Sequence, residues 1–112
     1  ESVRKANLFR IYQGESDLVF DGLALVNRGD SPATVTVTQW STGGTVLATT
    51  TLTSDLGPNQ KMLQVLGDVL MDEPGSVIEV RSSEPSEAVF LRGTPPGVSP
   101  GYLYVVVPVF VE

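Results

Sequence analysis

Apolar and polar residues alternate with a period of two along most of this chain, the pattern of β-strands that bury one face. The clearest stretch runs from about Ala33 to Trp40, where Val35 and Val37 alternate with threonines. We expect the valines to face the core and the threonines to face solvent. No stretch sustains the 3.6-residue period of a helix, and turn residues recur about every eight to twelve positions. The pattern therefore predicts an all-β domain.

The preceding strand, from about Val19 to Val26, places Leu23 and Leu25 on one face and small residues on much of the other. Small side chains on a strand face indicate that a neighbouring strand or sheet approaches closely. Between the two strands, residues 27–32 (NRGDSP) are of the types that tight turns favour. We expect the two strands to fold back on each other as a hairpin.

Further strands are predicted in the same way over about Asn7–Gln13, Thr45–Thr53, Lys61–Val65, Ser76–Ser82, Ala88–Arg92 and Tyr102–Val111. The pair Gly43 and Gly44 predicts a hairpin turn between the third and fourth strands, because tight turns need positive φ angles. Apolar residues at positions 66, 69 and 70, ahead of Pro74, predict one short helix over Leu66–Met71. Glu1–Glu112 is thus predicted to form a single domain, an immunoglobulin-like antiparallel β-sandwich of seven to eight strands with one short helix.

The last predicted strand, Tyr102–Val111, is apolar on both faces, whereas a half-exposed strand should alternate. Pro108 cannot donate to a hydrogen-bond ladder, which indicates an edge position or a bulge. We expect the short helix to cover one face of this strand. The alternative is that a second subunit or an adjacent domain covers it, through an interface that includes Val105, Val107 and Phe110. A homodimer through the last strand is one form of that alternative.

Composition limits the classes of function. The chain has 112 residues, enough for one domain with a real core but not for a catalytic domain and a separate binding domain. Thirteen acidic against seven basic residues give a net charge of −6, which argues against a nucleic-acid or anionic-membrane partner. No apolar run reaches the ~18 residues that a membrane helix needs, so membrane insertion is not expected.

The sequence contains no cysteine and no histidine. Disulfides, thiolate or imidazole metal sites, cysteine nucleophiles and the usual serine–histidine pair are thereby excluded. The acids that could ligate calcium have spacings that match no dense calcium loop; they are Asp17, Asp21, Asp55, Asp68, Asp72 and Glu73. A small sandwich also seldom forms the cleft with two carboxylates that a glycosidase needs. We expect no catalytic residue, no cofactor and no metal.

Arg28, Gly29 and Asp30, in the predicted turn, resemble the integrin-binding tripeptide. A tight turn would present a guanidinium and a carboxylate on either side of a glycine to a metal-bearing receptor. The other explanation is that such a turn uses these residue types for its backbone angles and side-chain caps. We expect the structural explanation and keep cell adhesion as the alternative.

Trp40 is the single tryptophan. In immunoglobulin-like folds, a tryptophan on the third strand often packs in the core. The alternation along this strand instead places Trp40 with the threonines, unless a bulge intervenes. On an exposed threonine-rich face it would form a platform for stacking sugars, helped by Tyr12, Tyr102 or Tyr104. Packing in the core or at an edge and a carbohydrate surface both stay open from the sequence.

Four segments together resemble a bacterial extracellular immunoglobulin-like or fibronectin-type-III-like module. They are LALVNRGDSPATVTVTQW, the Gly-Gly turn, LGPNQKMLQVLGDVL and GSVIEVRSSEPSEAVFLRG. The resemblance covers roughly Gly22 to Gly93 and consists of turns and apolar spacing. It implies a structural, adhesive or carbohydrate-related role in multidomain surface or secreted proteins, and it brings no catalytic residues.

The sequence therefore predicts a non-catalytic module of a larger secreted or cell-surface protein, acting as a spacer or a protein-interaction domain. Its partner would be another protein or an adjacent domain of the same chain. The first alternative is a carbohydrate-binding module that holds a polysaccharide through Trp40, and the second is an adhesion domain. Because the chain begins at Glu1 rather than Met, we expect it to be a fragment or mature segment of a longer extracellular or cell-surface protein.

Overall fold

The computed structural model describes residues 5–13, 20–71, 73–94, 103–106 and 109–110. This part of the chain is all-β, as the alternation predicts. Its strands are β1 Lys5–Tyr12, β2 Phe20–Asn27, β3 Ala33–Trp40, β4 Val46–Leu56, β5 Lys61–Val65, β6 Val77–Gly93, β7 Leu103–Val106 and β8 Val109–Phe110. Every strand pairing is antiparallel. The fold class is therefore confirmed at the level of an antiparallel all-β domain.

The predicted helix over Leu66–Met71 is wrong in type and length, because the structure has a single 3-10 turn at Leu66–Asp68. The amide groups of Val69 and Leu70 both donate to the Leu66 carbonyl, and no side chain caps the turn. So short a segment lacks the hydrogen bonds that would extend it into a helix. The turn packs against β2, with Leu66 fully buried.

The 17-residue strand β6 connects the two halves of an eight-stranded sheet. Its residues 77–82 pair with β3 and β1, and its residues 86–93 pair with β2 and β7. The start of β1 also reaches the second part, where Ala6 pairs with Ser86 and Lys5 with Glu87. The sequence predicts two strands here, Ser76–Ser82 and Ala88–Arg92, and this division is wrong. Pro85 lies within residues 83–85, which have no partner in the ladders, so its missing amide proton interrupts no pairing.

We call the two parts of the sheet the first half-sheet (β4, β3, residues 77–82 of β6, β1 and β8) and the second half-sheet (β5, β2, residues 86–93 of β6, and β7). The sheet curls so that apolar side chains from both halves share one core. Those core residues are Phe9, Ile11, Leu23, Leu25, Ala33, Val35, Val37, Leu56, Leu66, Ile78, Val80, Ala88 and Phe90. The inward positions predicted for Val35, Val37, Leu23 and Leu25 are confirmed.

The predicted hairpin between β2 and β3 is wrong. β2 pairs with β5 and β6, and β3 pairs with β4 and β6, so residues 28–32 carry the chain from one half-sheet to the other. Asn27 explains the crossing. Its buried amide nitrogen donates to the carbonyls of Ser31 and Leu56, both at 2.8 Å, and its oxygen accepts from the Gly29 amide at 2.8 Å. These bonds replace the ladder that a hairpin would have formed.

The hairpin between β3 and β4 is confirmed. Ser41 donates to the Thr45 carbonyl at 2.7 Å, and Gly44 donates to the Ser41 carbonyl at 3.0 Å. Gly44 has a φ of 91°, in the region that favours glycine. The paired glycines therefore predicted the position of this turn correctly.

The single last strand predicted over Tyr102–Val111 is wrong, because the chain forms two short strands with different partners. β7 pairs with β6 on the second half-sheet, and β8 pairs with β1 on the first. Among the described strands, each therefore lies at an edge of its half-sheet. Pro108 lies outside the described residues. Within those residues, no helix has the length and apolar character needed to span a membrane.

Candidate functional site

Two aromatic side chains lie in one row across the first half-sheet. Trp40 on β3 pairs with Val77 on β6, and Val77 pairs with Tyr12 on β1. Residues directly opposite each other on neighbouring strands project from the same face of a sheet. Each aromatic residue is one strand away from Val77, so their Cα atoms are separated by about 10 Å. The row therefore places two aromatic rings on one side of the sheet.

The burial of the neighbouring residues shows that this row lies on the outer face of the sheet. Ile78, next to Val77, is fully buried in the core, and Gln39, next to Trp40, is fully buried as well. Because side chains alternate along a strand, Val77 and Trp40 face away from the core. The ladder between β3 and β6 runs without a shift from Val35 to Trp40. Trp40 is consequently half-buried on the outer face, with Thr36 and Thr38.

Gln39 holds the end of β3 in this orientation. Its amide nitrogen donates to the Met71 carbonyl and to the Ser76 hydroxyl, both at 2.8 Å. Its amide oxygen accepts from the Met71 backbone at 2.8 Å. A rotation of the strand that buried Trp40 would expose these bonds to solvent, so Gln39 and Trp40 fix each other's direction.

A groove runs along the row of aromatics. One part has a volume of ≈ 340 Å³ and is lined by Arg10, Trp40, Ser41, Thr42, Gly44, Val77 and Glu79. The adjoining part has a volume of ≈ 190 Å³ and is lined by Arg10, Ile11, Tyr12 and Val77. Arg10 and Val77 belong to both parts, and Tyr12 is 65% exposed. We call this surface, defined by Arg10, Tyr12, Trp40, Val77, Glu79 and Arg81, the Trp40 face.

The next rows of the Trp40 face carry charge. Glu79 is buried and accepts hydrogen bonds from Arg10 Nε at 3.0 Å and from Arg81 Nη2 at 3.2 Å. The two arginine side chains remain 47% and 64% exposed. Two guanidinium groups around one carboxylate leave a local excess of one positive charge, on a chain whose net charge is −6. Val77 and Glu79 alternate in the sequence with Ile78 and Val80 and therefore share a face, but no local pattern indicates that Arg10 joins them.

The structure describes only part of the sequence-based carbohydrate set of Trp40, Tyr102 and Tyr104. Tyr102 lies outside the described residues. The backbone of Tyr104 pairs with Arg92 on the second half-sheet, whereas Trp40 pairs with Val77 on the first. Tyr12 is the tyrosine that the sheet register brings into the row of Trp40.

Arg28 is bound to the turn between β4 and β5 and to strand β6, and Gly29 packs against β6. Arg28 Nη1 donates to Asn59 Oδ1 at 2.9 Å, and Arg28 Nε donates to Glu87 Oε1 at 3.3 Å. A Cβ atom at Gly29 would collide with the side chain of Glu84. Asp30 is exposed. The close contact with Glu84 therefore explains why residue 29 is a glycine. The Arg28 guanidinium already forms hydrogen bonds within the domain.

Of the predicted interface residues, Val105 pairs with Leu91 through its backbone, and Phe110 pairs with Phe9. Val107 lies outside the described residues. A second apolar surface lies on β5, where Leu63 is 69% exposed and Val65 is 44% exposed. A groove of ≈ 210 Å³ adjoins it, lined by Gly22, Leu23, Ala24, Leu63, Gln64, Val65 and Leu91. No sequence motif marks these residues, although Leu63 lies at an outward position of a short strand.

The acidic side chains of the described part of the chain form no group of three or more that could hold a metal ion. Asp21 accepts a 2.6 Å hydrogen bond from Arg92 Nε, and both side chains are largely buried. Asp55 bonds to the Thr53 hydroxyl at 3.1 Å. Asp17 and Asp72 lie outside the described residues. These contacts give Asp21 and Asp55 structural partners.

No protein-family model matches the chain, and no curated protein matches it. Several solved structures match its fold. A Thermotoga maritima protein, 1070, superposes with a TM-score of 0.72 at 16% identity, over 96% of each chain. The Anabaena sensory rhodopsin transducer superposes with a TM-score of 0.63 at 12% identity, over 78% of this chain and 83% of the other. At these identities the likeness shows a shared small all-β fold.

Proposed function

We propose that the chain is a non-catalytic binding module of a larger secreted or cell-surface protein, and that it holds a saccharide on the Trp40 face. One observation carries the proposal: Trp40 and Tyr12 flank Val77 in a single outward-facing row. The two aromatic residues are separated by about 10 Å, roughly the reach of a short oligosaccharide. A ligand of that length would contact both rings at once.

The chemistry of the row suits a sugar. The faces of sugar rings present C–H groups that pack on the flat apolar surface of an aromatic ring, while their hydroxyls need hydrogen-bond partners. Arg10 and Glu79 supply charged partners in the next row, and Ser41 and Thr42 supply hydroxyls at the rim of the groove. All of these groups lie on or beside paired strands, so binding would require little ordering of the protein.

The immunoglobulin-like arrangement and the extracellular location are part of this proposal. Support for the first comes from eight antiparallel strands that enclose one core. Support for the second comes from the sequence resemblance over roughly Gly22 to Gly93. The shared fold with the Anabaena transducer, at 12% identity, carries no function to this chain.

Tryptophan fluorescence tests the proposal directly, because Trp40 is the single tryptophan. We expect soluble polysaccharides or their oligomers to shift the emission of Trp40 in a saturable way. Tyr12→Ala should weaken binding at least about fivefold, equivalent to ~1 kcal/mol. Leu63→Ala, which truncates a similarly exposed side chain on β5, should leave affinity unchanged. The absence of saturable binding across both neutral and acidic glycans would reject the proposal.

The second candidate is the spacer or protein-interaction role, and the exposed side chains of β5 favour it. Among the described strands, β5 pairs with β2 alone, so its other edge is unpaired. Exposed Leu63 and Val65 on such an edge suit an extended segment of an adjacent domain that adds a strand to the sheet. Light scattering of the isolated chain and of Leu63→Lys would test for self-association through this edge. Association through the last strand would instead persist in that variant.

The adhesion alternative also stays a prediction. The bonds of Arg28 to Asn59 and Glu87 favour the structural explanation of the tripeptide. The test is integrin-dependent cell attachment to the purified domain, compared with Asp30→Glu. Attachment that Asp30→Glu abolishes would establish the adhesive role.

A further inference from the structure

We infer that the ligand of the Trp40 face is an acidic saccharide, whose carboxylates bind Arg10 and Arg81 while its rings stack on Trp40 and Tyr12. This inference rests on the proposed saccharide-binding function and names the chemical class of the ligand. A uronic-acid oligosaccharide has the required groups, since it combines sugar rings with one carboxylate on each unit.

Arg10 is the residue that links the aromatics to the charge. It lines both parts of the groove, and its neighbours across the sheet are Glu79 and, one row away, Val77. Its Nε is bound to Glu79 at 3.0 Å, yet the side chain is 47% exposed. A guanidinium has five N–H donors in a rigid fork that matches a carboxylate. Glu79 thus fixes the direction of the fork without enclosing it.

Arg81 provides a second cation on the same face. It lies two residues from Glu79 on β6, so both side chains project outward, and Nη2 contacts Glu79 at 3.2 Å. The single carboxylate cannot neutralise both guanidinium groups. An acidic ligand would add the missing negative charge, and hydrogen bonds between ionised partners are roughly twice as strong as neutral ones.

The net charge of −6 repels an anionic ligand, but this repulsion comes mainly from acids distant from the groove. At physiological ionic strength, charges interact over a Debye length of about 8 Å, so distant acids are largely screened. Two acids beyond these rows already have cationic partners, since Asp21 is paired with Arg92 and Glu87 with Arg28. The local excess of positive charge around Arg10 and Arg81 therefore determines whether the groove prefers acidic or neutral saccharides.

A matched pair of ligands tests the inference. Oligogalacturonides and their methyl esters share one backbone, but the esters lack the negative charge. In titrations of the whole chain followed by Trp40 fluorescence and calorimetry, we expect the acids to bind about tenfold more tightly. Equal affinity, or tighter binding of the esters, would overturn the acidic preference and leave the saccharide function in place. If neither ligand bound, and no neutral glycan bound either, both the acidic preference and the saccharide-binding function would be overturned.

Two variants separate charge recognition from structural support. Arg10→Gln should remove most of the tenfold preference, whereas Glu79→Gln should raise affinity for the acid, because it leaves both guanidinium groups uncompensated. Arg28→Gln, which breaks another exposed Arg–Glu pair outside the groove, should change neither. If both site variants lowered affinity for acid and ester alike, the arginine would have only a structural role and the inference would fail.

Salt dependence of the unmodified chain gives a measurement that does not depend on how the variants fold. Raising sodium chloride from 50 to 500 mM should weaken binding of the acid severalfold and leave the ester nearly unaffected, since salt screens exposed charges. If salt weakened the binding of the acid and of the ester equally, recognition of the carboxylates by Arg10 and Arg81 would be contradicted.

Discussion

Gln39 and Met71 exchange two hydrogen bonds of 2.8 Å, in which the Gln39 side chain bonds both the amide and the carbonyl of Met71. The glutamine is fully buried, so it joins the end of β3 to the segment after the 3-10 turn. An amide side chain can donate and accept at once, and here both functions are used on one backbone residue. The contact fixes the strand end from which Trp40 projects.

Gln39→Ala should lower the free energy of unfolding by about 1 to 3 kcal/mol, because the Met71 amide and the buried Ser76 hydroxyl lose this partner, while the Met71 carbonyl keeps its bond from Gln13 Nε2 at 3.0 Å. Chemical denaturation followed by circular dichroism would measure the change. Gln64→Ala is the matched control, since Gln64 bonds only to the exposed carbonyl of Val65 and should cost little. Equal losses in the two variants would contradict the role assigned to Gln39.

Asn27 supports the crossing between the half-sheets in a similar way. Asn27→Ala removes two 2.8 Å bonds to carbonyls and one from the Gly29 amide, so we expect a loss of about 2 to 4 kcal/mol in denaturation experiments. Asn7→Ala removes one bond of a more exposed side chain and should cost under about 1 kcal/mol. If Asn27→Ala proved as mild, the loop would not depend on this side chain.

Local features of the fold could be predicted from the sequence. The inward valines of β3 follow from alternation, the turn into β4 from paired glycines, and the bounds of β5, Lys61–Val65, from flanking turn residues. Each of these depends on residues within a few positions. The same alternation also placed Trp40 with the threonines.

The pairing of strands could not be predicted in this way. The turn residues around Asn27 suit a crossing between half-sheets as well as a hairpin, because both require polar side chains that bond to the backbone. Arg10 and Glu79 are 69 positions apart in the chain, so their contact depends on the pairing of β1 with β6. Tyr12 joins Trp40 for the same reason. The all-β class could therefore be predicted, and so could Trp40 with Tyr12 as one of its possible partners, but the sheet rows that join them to Arg10 and Glu79 could not.

Gly29 and Gly44 are constrained for different physical reasons, which substitutions by alanine would separate. Gly29→Ala should cost about 1 to 3 kcal/mol, because the new Cβ meets the side chain of Glu84. Adding Glu84→Ala should restore part of this loss by removing the carboxylate end. At Gly44 there is open space, and the cost of about 1 kcal/mol comes from its positive φ. Glu84→Ala should therefore leave the Gly44→Ala loss unchanged, and any rescue there would contradict the steric explanation.

Trp40 and Phe90 are large aromatic residues of β3 and β6 whose truncation should have different effects on stability. Phe90 is fully buried and packs against Phe9, with ring centroids 6.3 Å apart, so Phe90→Ala should leave a cavity and cost about 3 to 5 kcal/mol. Trp40 lies half-buried on the outer face, where water fills the space that truncation leaves, so Trp40→Ala should cost about 1 to 2 kcal/mol. Circular dichroism would follow both variants, since Trp40→Ala removes the fluorophore. If Trp40→Ala lowered the free energy of unfolding as much as Phe90→Ala, Trp40 would be a core residue. The outer aromatic surface on which the saccharide proposal depends would then not exist.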